Sequence, residues 1–202
     1  MLVTGHHHNH SGSFTMSKQT VARVACLSTL LGLSACGGGD GTSGICQALG
    51  VGNSTVNSFV AAGTIDNTPA AFDGSLSSFA RYTDSTGNGS ARFDGRAQSG
   101  VIASAGQAAG VLLTTPPAST TLQISISTKL NGVVQETGTA GFQGGTTQVC
   151  SACAEQGGNS FFGITTTRDY NGIEVTLQLN GLPVTLDVRE LCTLTPPTVP
   201  RG

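Results

Sequence analysis

The residues with the means to do chemistry are six cysteines, four histidines, eleven carboxylates and very few lysines. Cys150-Ser151-Ala152-Cys153 has the spacing shared by thiol–disulfide redox pairs, half zinc sites and short structural disulfides. A zinc site needs about four ligands. No second CxxC follows, and His6, His7, His8 and His10 all precede Met16. A redox pair works best at a helix N-terminus, where backbone N–H groups lower the thiol pKa. This pair lies between Gly144-Gly145 and Gly157-Gly158, which reads as a loop. A structural disulfide is therefore the favoured reading, with redox and metal binding as the alternatives.

Acid–base chemistry has little to work with. A hydrolytic triad needs a base beside its nucleophile, and beyond residue 15 the chain has no histidine. Ser–Lys chemistry would fall to Lys129, which is expected at a strand end beside a turn and solvated there. Asp66, Asp73, Asp84 and Asp94 could pair on paper as a general acid and base. They sit in stretches rich in Gly, Asn, Ser and Thr, where aspartate commonly serves turns. No glycine cluster is followed by the Lys-Ser/Thr of a phosphate loop. The expectation is a non-enzyme.

The N-terminal region has its own logic. From Met16, Lys18 and Arg23 form a positive segment, followed by a mostly apolar stretch from Val24 to Leu33. That stretch is too short to cross a bilayer core of about 30 Å as a helix but suits a signal peptide. It ends in Leu33-Ser34-Ala35-Cys36, which resembles the bacterial lipobox. The resemblance implies cleavage before Cys36, lipid on its thiol and a membrane anchor. Gly37 rather than Asp at the next position favours the outer membrane. An ordinary signal peptide with a chance cysteine is the plainer alternative. Residues 1–15 read as an upstream extension or tag, 16–35 as the signal peptide, and 36–43 as the lipidated cysteine with a flexible glycine-rich tether.

Residues 44–195 are expected to form one β-domain, and the Pro-rich segment 196–202 a tail outside it. Only 10% of residues are charged and the net charge is −2. No basic run is present, so a nucleic-acid partner is excluded. Leu122 to Ser127 alternates apolar and polar residues, as a half-buried strand does, and Asn131-Gly132 reads as the hairpin turn that follows. Ile173, Val175, Leu177 and Leu179 alternate up to Asn180-Gly181, and Val184, Leu186 and Val188 on the return, predicting a second hairpin. Ala109–Leu113 and Phe161–Thr165 are further strand candidates. Many short strands between turns predict an all-β, antiparallel jelly-roll sandwich.

Ala70-Ala71-Phe72-Asp73-Gly74, followed by Ser78 where a Thr is usual, resembles the A-x-D-G-x-x-x-T motif of discoidin-like, galactose-binding-like jelly rolls. Asp169 to Val175 and Val188-Arg189-Glu190-Leu191 resemble that fold's closing strands. The likeness covers residues 56–192. Four cysteines, Cys46, Cys150, Cys153 and Cys192, allow three pairings; the resemblance implies adjacent chain ends and so favours Cys46–Cys192, with Cys150–Cys153 as the remaining pair. It also implies a structural Ca²⁺ held by Asp73, Ser78 and Glu190, all oxygen donors of the hard type that Ca²⁺ takes. The plainer alternative makes Asp73 a turn cap and Glu190 an exposed strand residue.

The implied function is a non-catalytic binding or adhesion module for glycan or protein, anchored through Cys36. The alternatives are a structural lipoprotein of an envelope complex and a thiol-redox protein. Sugar platforms favour exposed Trp or Tyr, and this chain has no Trp and only Tyr82 and Tyr170.

Overall fold

The computed structural model describes residues 46–49, 55–97 and 103–194. Cys36, the signal segment, the upstream extension, the tether and the Pro-rich tail lie outside them. The described strands are β1 (Gln47–Ala48), β2 (Thr55–Val60), β3 (Thr64–Asp66), β4 (Ala80–Asp84), β5 (Ser90–Arg96), β6 (Ala108–Thr114) and β7 (Thr121–Leu130). They continue with β8 (Val133–Gln143), β9 (Thr146–Gln148), β10 (Ala152–Gln156), β11 (Asn159–Thr165), β12 (Gly172–Asn180) and β13 (Val184–Leu194). A 3-10 turn, Thr68–Phe72, is the helical element among these residues.

Two antiparallel sheets face each other. The first has the order β10-β11-β6-β13-β4-β3 with β1 added on β13; the second has the order β2-β5-β12-β7-β8-β9. Most connections pass from one sheet to the other, which is the jelly-roll habit. Period-two alternation explains the burial. In β7, Leu122, Ile124 and Ile126 are buried while Gln123 and Ser125 are exposed. In β12, Ile173, Val175, Leu177 and Leu179 are buried. They meet Tyr82, Val111, Leu113, Leu186 and Val188 of the first sheet in one core. Phe142 and Phe162 join the sheets edge to face, with ring centroids 6.3 Å apart.

The first predicted hairpin forms. Asn131 (φ 53°) and Gly132 (φ 86°) both take left-handed backbone between β7 and β8, as a two-residue turn of this type demands. The second does not. β12 pairs with β5 and β7, whereas β13 pairs with β4 and β6, so Asn180-Gly181 is a crossover between sheets. The apolar faces of β12 and β13 both point into the core, but from opposite walls. Alternation fixes which residues are inside; it does not say which sheet a strand joins. The Gly181 N–H bonds the Gly87 carbonyl at 2.8 Å, which ties this crossover to the β4–β5 turn.

Gly95 marks a close approach. A Cβ there would lie 2.5 Å from the Phe72 ring, so the bare strand position admits the aromatic that ends the Ala70-Ala71-Phe72 run. Both disulfides have the expected partners, Cys46–Cys192 and Cys150–Cys153. Cys153 lies in β10, so the CxxC spans a strand start rather than a loop. Cys46–Cys192 closes a span of 146 residues where β1 meets β13. On the chain-entropy account that contributes up to about 4–5 kcal/mol.

Candidate functional site

The 3-10 turn ends at Asp73, and its Ala70, Ala71 and Phe72 are buried. That burial anchors the turn and sends residues 73–78 over the outer face of the first sheet. Glu190 meets them there. A β-bulge between Val188 and Glu190 breaks the alternation of β13, and Glu190 then pairs in register with Leu112. Leu112 belongs to a second, small apolar cluster with Phe161 and Cys192, roofed by Leu76.

The structure brings Asp73, Ser78 and Glu190 together from distant stretches of sequence. Ser78 donates its hydroxyl to Asp73 Oδ2 at 2.7 Å and also lies 3.0 Å from the Ser75 carbonyl oxygen. The Ser75 N–H bonds Asp73 Oδ1 at 2.8 Å, so Asp73 does cap its turn. The Gly74 N–H bonds Glu190 Oε2 at 3.0 Å. Glu190 is only 1% exposed, which corrects the alternative of an exposed strand residue.

Its other oxygen, Oε1, is buried without a hydrogen-bond partner. Burial pushes the Glu190 carboxyl up to about 8, the Gly74 N–H opposes the shift, and the nearby Asp73 charge adds to it. An orphaned, buried carboxylate oxygen beside a second carboxylate and a hydroxyl fits a hard divalent cation. The set is lean in charge. Among the described residues no cluster of three or more His, Cys, Asp or Glu forms, so backbone oxygens would have to complete the shell.

Of the other candidate groups, Asp66 lies exposed at the end of β3, while the rest hold the fold. Asp84 ends β4, and its carboxylate accepts the Thr86 N–H (2.8 Å), the Thr86 hydroxyl (2.7 Å) and the Gly89 N–H (2.7 Å). Asp94 lies within β5, not in a turn, and Lys129 bridges it (2.8 Å) and Glu174 (2.7 Å). Lys129 is therefore part-buried and paired rather than solvated. Burial lowers its pKa, but the two carboxylates outweigh burial and raise it. Both tyrosines are fully buried, Tyr82 donating to the Ala62 carbonyl and Tyr170 to the Ala108 carbonyl. Neither offers a platform.

An aromatic that the sequence reading passed over is exposed instead. Phe59 on β2 is 60% exposed and packs beside Arg92, whose guanidinium lies 5.8 Å from the ring centroid. Both stand on the outer face of the second sheet. Further along this face, a groove of about 330 Å³ opens over β7, β8 and β9. No local signal singles Phe59 out in the sequence, since apolar Val60 follows it directly and only strand register sets it opposite Arg92.

No protein-family model matches the chain, and no curated protein matches it. Among solved structures it is similar to a selenomethionine-labelled mutant of chitosan-binding module 1 from a chitosanase/glucanase of Paenibacillus sp. IK-5. The TM-score is 0.42 at 15% identity, covering 74% of this chain and 99% of that one. It is also similar to the CBM32 of AlyQ in complex with 4,5-unsaturated mannuronic acid (TM-score 0.37, 17% identity, 69% and 94% covered). A third is CBM32-3 from a family 31 glycoside hydrolase of Clostridium perfringens (TM-score 0.36, 9% identity, 69% and 90% covered). The sandwich fold rests on this chain's own two sheets.

Proposed function

We propose that the chain is a membrane-anchored, non-catalytic glycan-binding module of the galactose-binding-like type, tethered by lipid on Cys36. The observation that carries this reading is the meeting of Asp73, Ser78 and Glu190. The motif resemblance names these residues as a set, and the Gly74–Glu190 bond closes 116 residues of chain to join them. In this reading Asp73, Ser78 and Glu190, with backbone carbonyls, would hold Ca²⁺. The ion would supply fixed positive charge that locks the 73–78 loop to β13. Asp84, Asp94 and Glu174 are engaged in a turn and in ion pairs, which supports a binding role.

Affinity electrophoresis of the detergent-solubilised full chain, in gels carrying neutral or acidic polysaccharides with Ca²⁺ present, tests the binding role. Retardation by at least one polysaccharide is expected; unchanged migration in every gel contradicts it. Radioactive palmitate should label the wild-type protein and not Cys36→Ser, and equal labelling of both would refute the anchor.

A further inference from the structure

We propose that the outer face of the second sheet is a track for a linear, uncharged polysaccharide running across the strands, with Phe59 as its stacking platform. This inference rests on the glycan-binding reading and assigns it a place.

The face is laid out by strand register. Phe59 is opposite Arg92, Arg92 opposite Thr176, Thr176 opposite Ser125, and Ser125 opposite Thr139. The neighbouring row runs Gln178, Gln123, Gly141 and Gln148. Strands lie about 4.8 Å apart, so Phe59 and Ser125 are on the order of 14 Å apart, the reach of a short oligosaccharide. One end of the track is aromatic, and the other is the groove, lined by Gln123, Ser125, Thr139, Gln143 and Gln148.

Chemistry selects the occupant. The groove lining is uncharged, with Arg92 the charged group elsewhere on the row; beside the apolar Val149, its Gln and Ser/Thr side chains both donate and accept hydrogen bonds, as a sugar hydroxyl does. Among the described residues Gln123, Ser125 and Thr139 make no side-chain hydrogen bond. One row away, Ser127 and Thr137 bond each other at 3.0 Å. The groove groups are thus unspent, while Gln148 is held in place by its bond to Thr146 Oγ1 at 2.7 Å. The Arg92 guanidinium lies over the Phe59 ring at 5.8 Å, and the ring, still 60% exposed, offers its remaining electron-rich face to the polarised C–H face of a pyranose. Gly141, between Gln123 and Gln148, has no side chain and leaves the groove floor open.

Gly141 also gives a clean test. A Cβ there would sit at ordinary contact distance, 3.4 Å from the Leu122 carbonyl oxygen and 3.6 Å from Gln148 Cβ. Gly141→Val should therefore fill the groove and leave the fold intact, with valine suited to a strand. The experiment is affinity electrophoresis of the full chain in gels of hydroxyethylcellulose, glucomannan, laminarin or arabinogalactan, with alginate and polygalacturonate as acidic arms. The melting temperature of each variant is measured alongside. Wild type should be retarded by a neutral gel, and Phe59→Ala and Gly141→Val should each weaken that retardation at least about tenfold, with little change in melting temperature.

Retardation unchanged in both variants overturns the track and leaves the glycan-binding reading standing. Retardation by acidic gels alone, lost in Arg92→Ala but kept in Gly141→Val, overturns the assignment to an uncharged chain. No retardation of wild type in any gel removes the glycan-binding reading, and this inference with it.

Discussion

Asp84 and Glu190 are both carboxylates, each only 1% exposed, yet their surroundings are opposites. Burial alone would raise Asp84, but the Thr86 hydroxyl and the N–H groups of Thr86, Gly89 and Gly87 outweigh it and hold the group below its ordinary value. Glu190 receives one N–H, leaves Oε1 bare and feels a second carboxylate, and it is pushed up to about 8. A buried charge costs little when its lone pairs are filled by donors and a great deal when they are not. Asp84 therefore reads as a finished turn. Glu190 keeps a buried acceptor unfilled, which is the opening that the proposed cation would take.

The sharpest way to break this contrast is to neutralise each group. Asp84→Asn puts an NH₂ where N–H and O–H donors converge, and should cost about 3 kcal/mol of stability in urea unfolding. Glu190→Gln, in buffer stripped of divalent ions, should cost nothing or stabilise. Equal losses in the two variants would erase the distinction.

The next effect is in pH, and the signs are opposite. Glu190 is raised in the folded state from 4.5 to about 8. In ion-free protein the native state holds its proton longer than the unfolded chain does. Its contribution is thus fully present below about pH 4.5 and is lost as pH rises toward 8, at no more than about 1.4 kcal/mol per pH unit. Asp84 is lowered, so its contribution is present above its ordinary value of 3.8 and is lost as pH falls into the acid range. Glu190→Gln should flatten the fall in stability between about pH 4.5 and 8, and Asp84→Asn the fall in the acid range below 3.8. A swap of those assignments, read from melting temperature against pH, would contradict the account.

Smallest is Ser78. Ser78→Ala removes the hydroxyl from Asp73 Oδ2 and should cost about 1 kcal/mol. Ser78→Thr, which restores the hydroxyl, should recover it. Failure of Thr to recover the loss would mean that packing, not the hydroxyl, makes Ser78 matter.

What the sequence disclosed follows the range of each signal. Alternation is local, so β7, β12 and the buried faces of β13 were legible, as was the Asn131-Gly132 turn. Sheet membership is not local, and Asn180-Gly181 therefore looked like a hairpin when it is a crossover. Lys129 looked solvated because its partners, Asp94 and Glu174, come from two other strands brought beside it by register alone. Asp73, Ser78 and Glu190 could be grouped in advance only through the motif resemblance, since no spacing rule joins positions this far apart. The outer face of the second sheet was invisible for the same reason. Its rows are built from strands separated along the chain, and only the register sets Phe59, Ser125 and Thr139 in line.

The central claim, that the junction of the 73–78 loop with β13 holds a cation, is tested most directly by melting the ion-stripped full chain with millimolar Ca²⁺ or with chelator. A ligand at about a hundred times its dissociation constant stabilises by about 2.7 kcal/mol. For a chain of this size that is a rise of about 5–10 °C. The account predicts that rise in wild type and its loss in Asp73→Ala. A wild-type melting temperature that is the same in Ca²⁺ and in chelator would contradict it, leaving Asp73 as a turn cap and Glu190 as an unexplained buried acid.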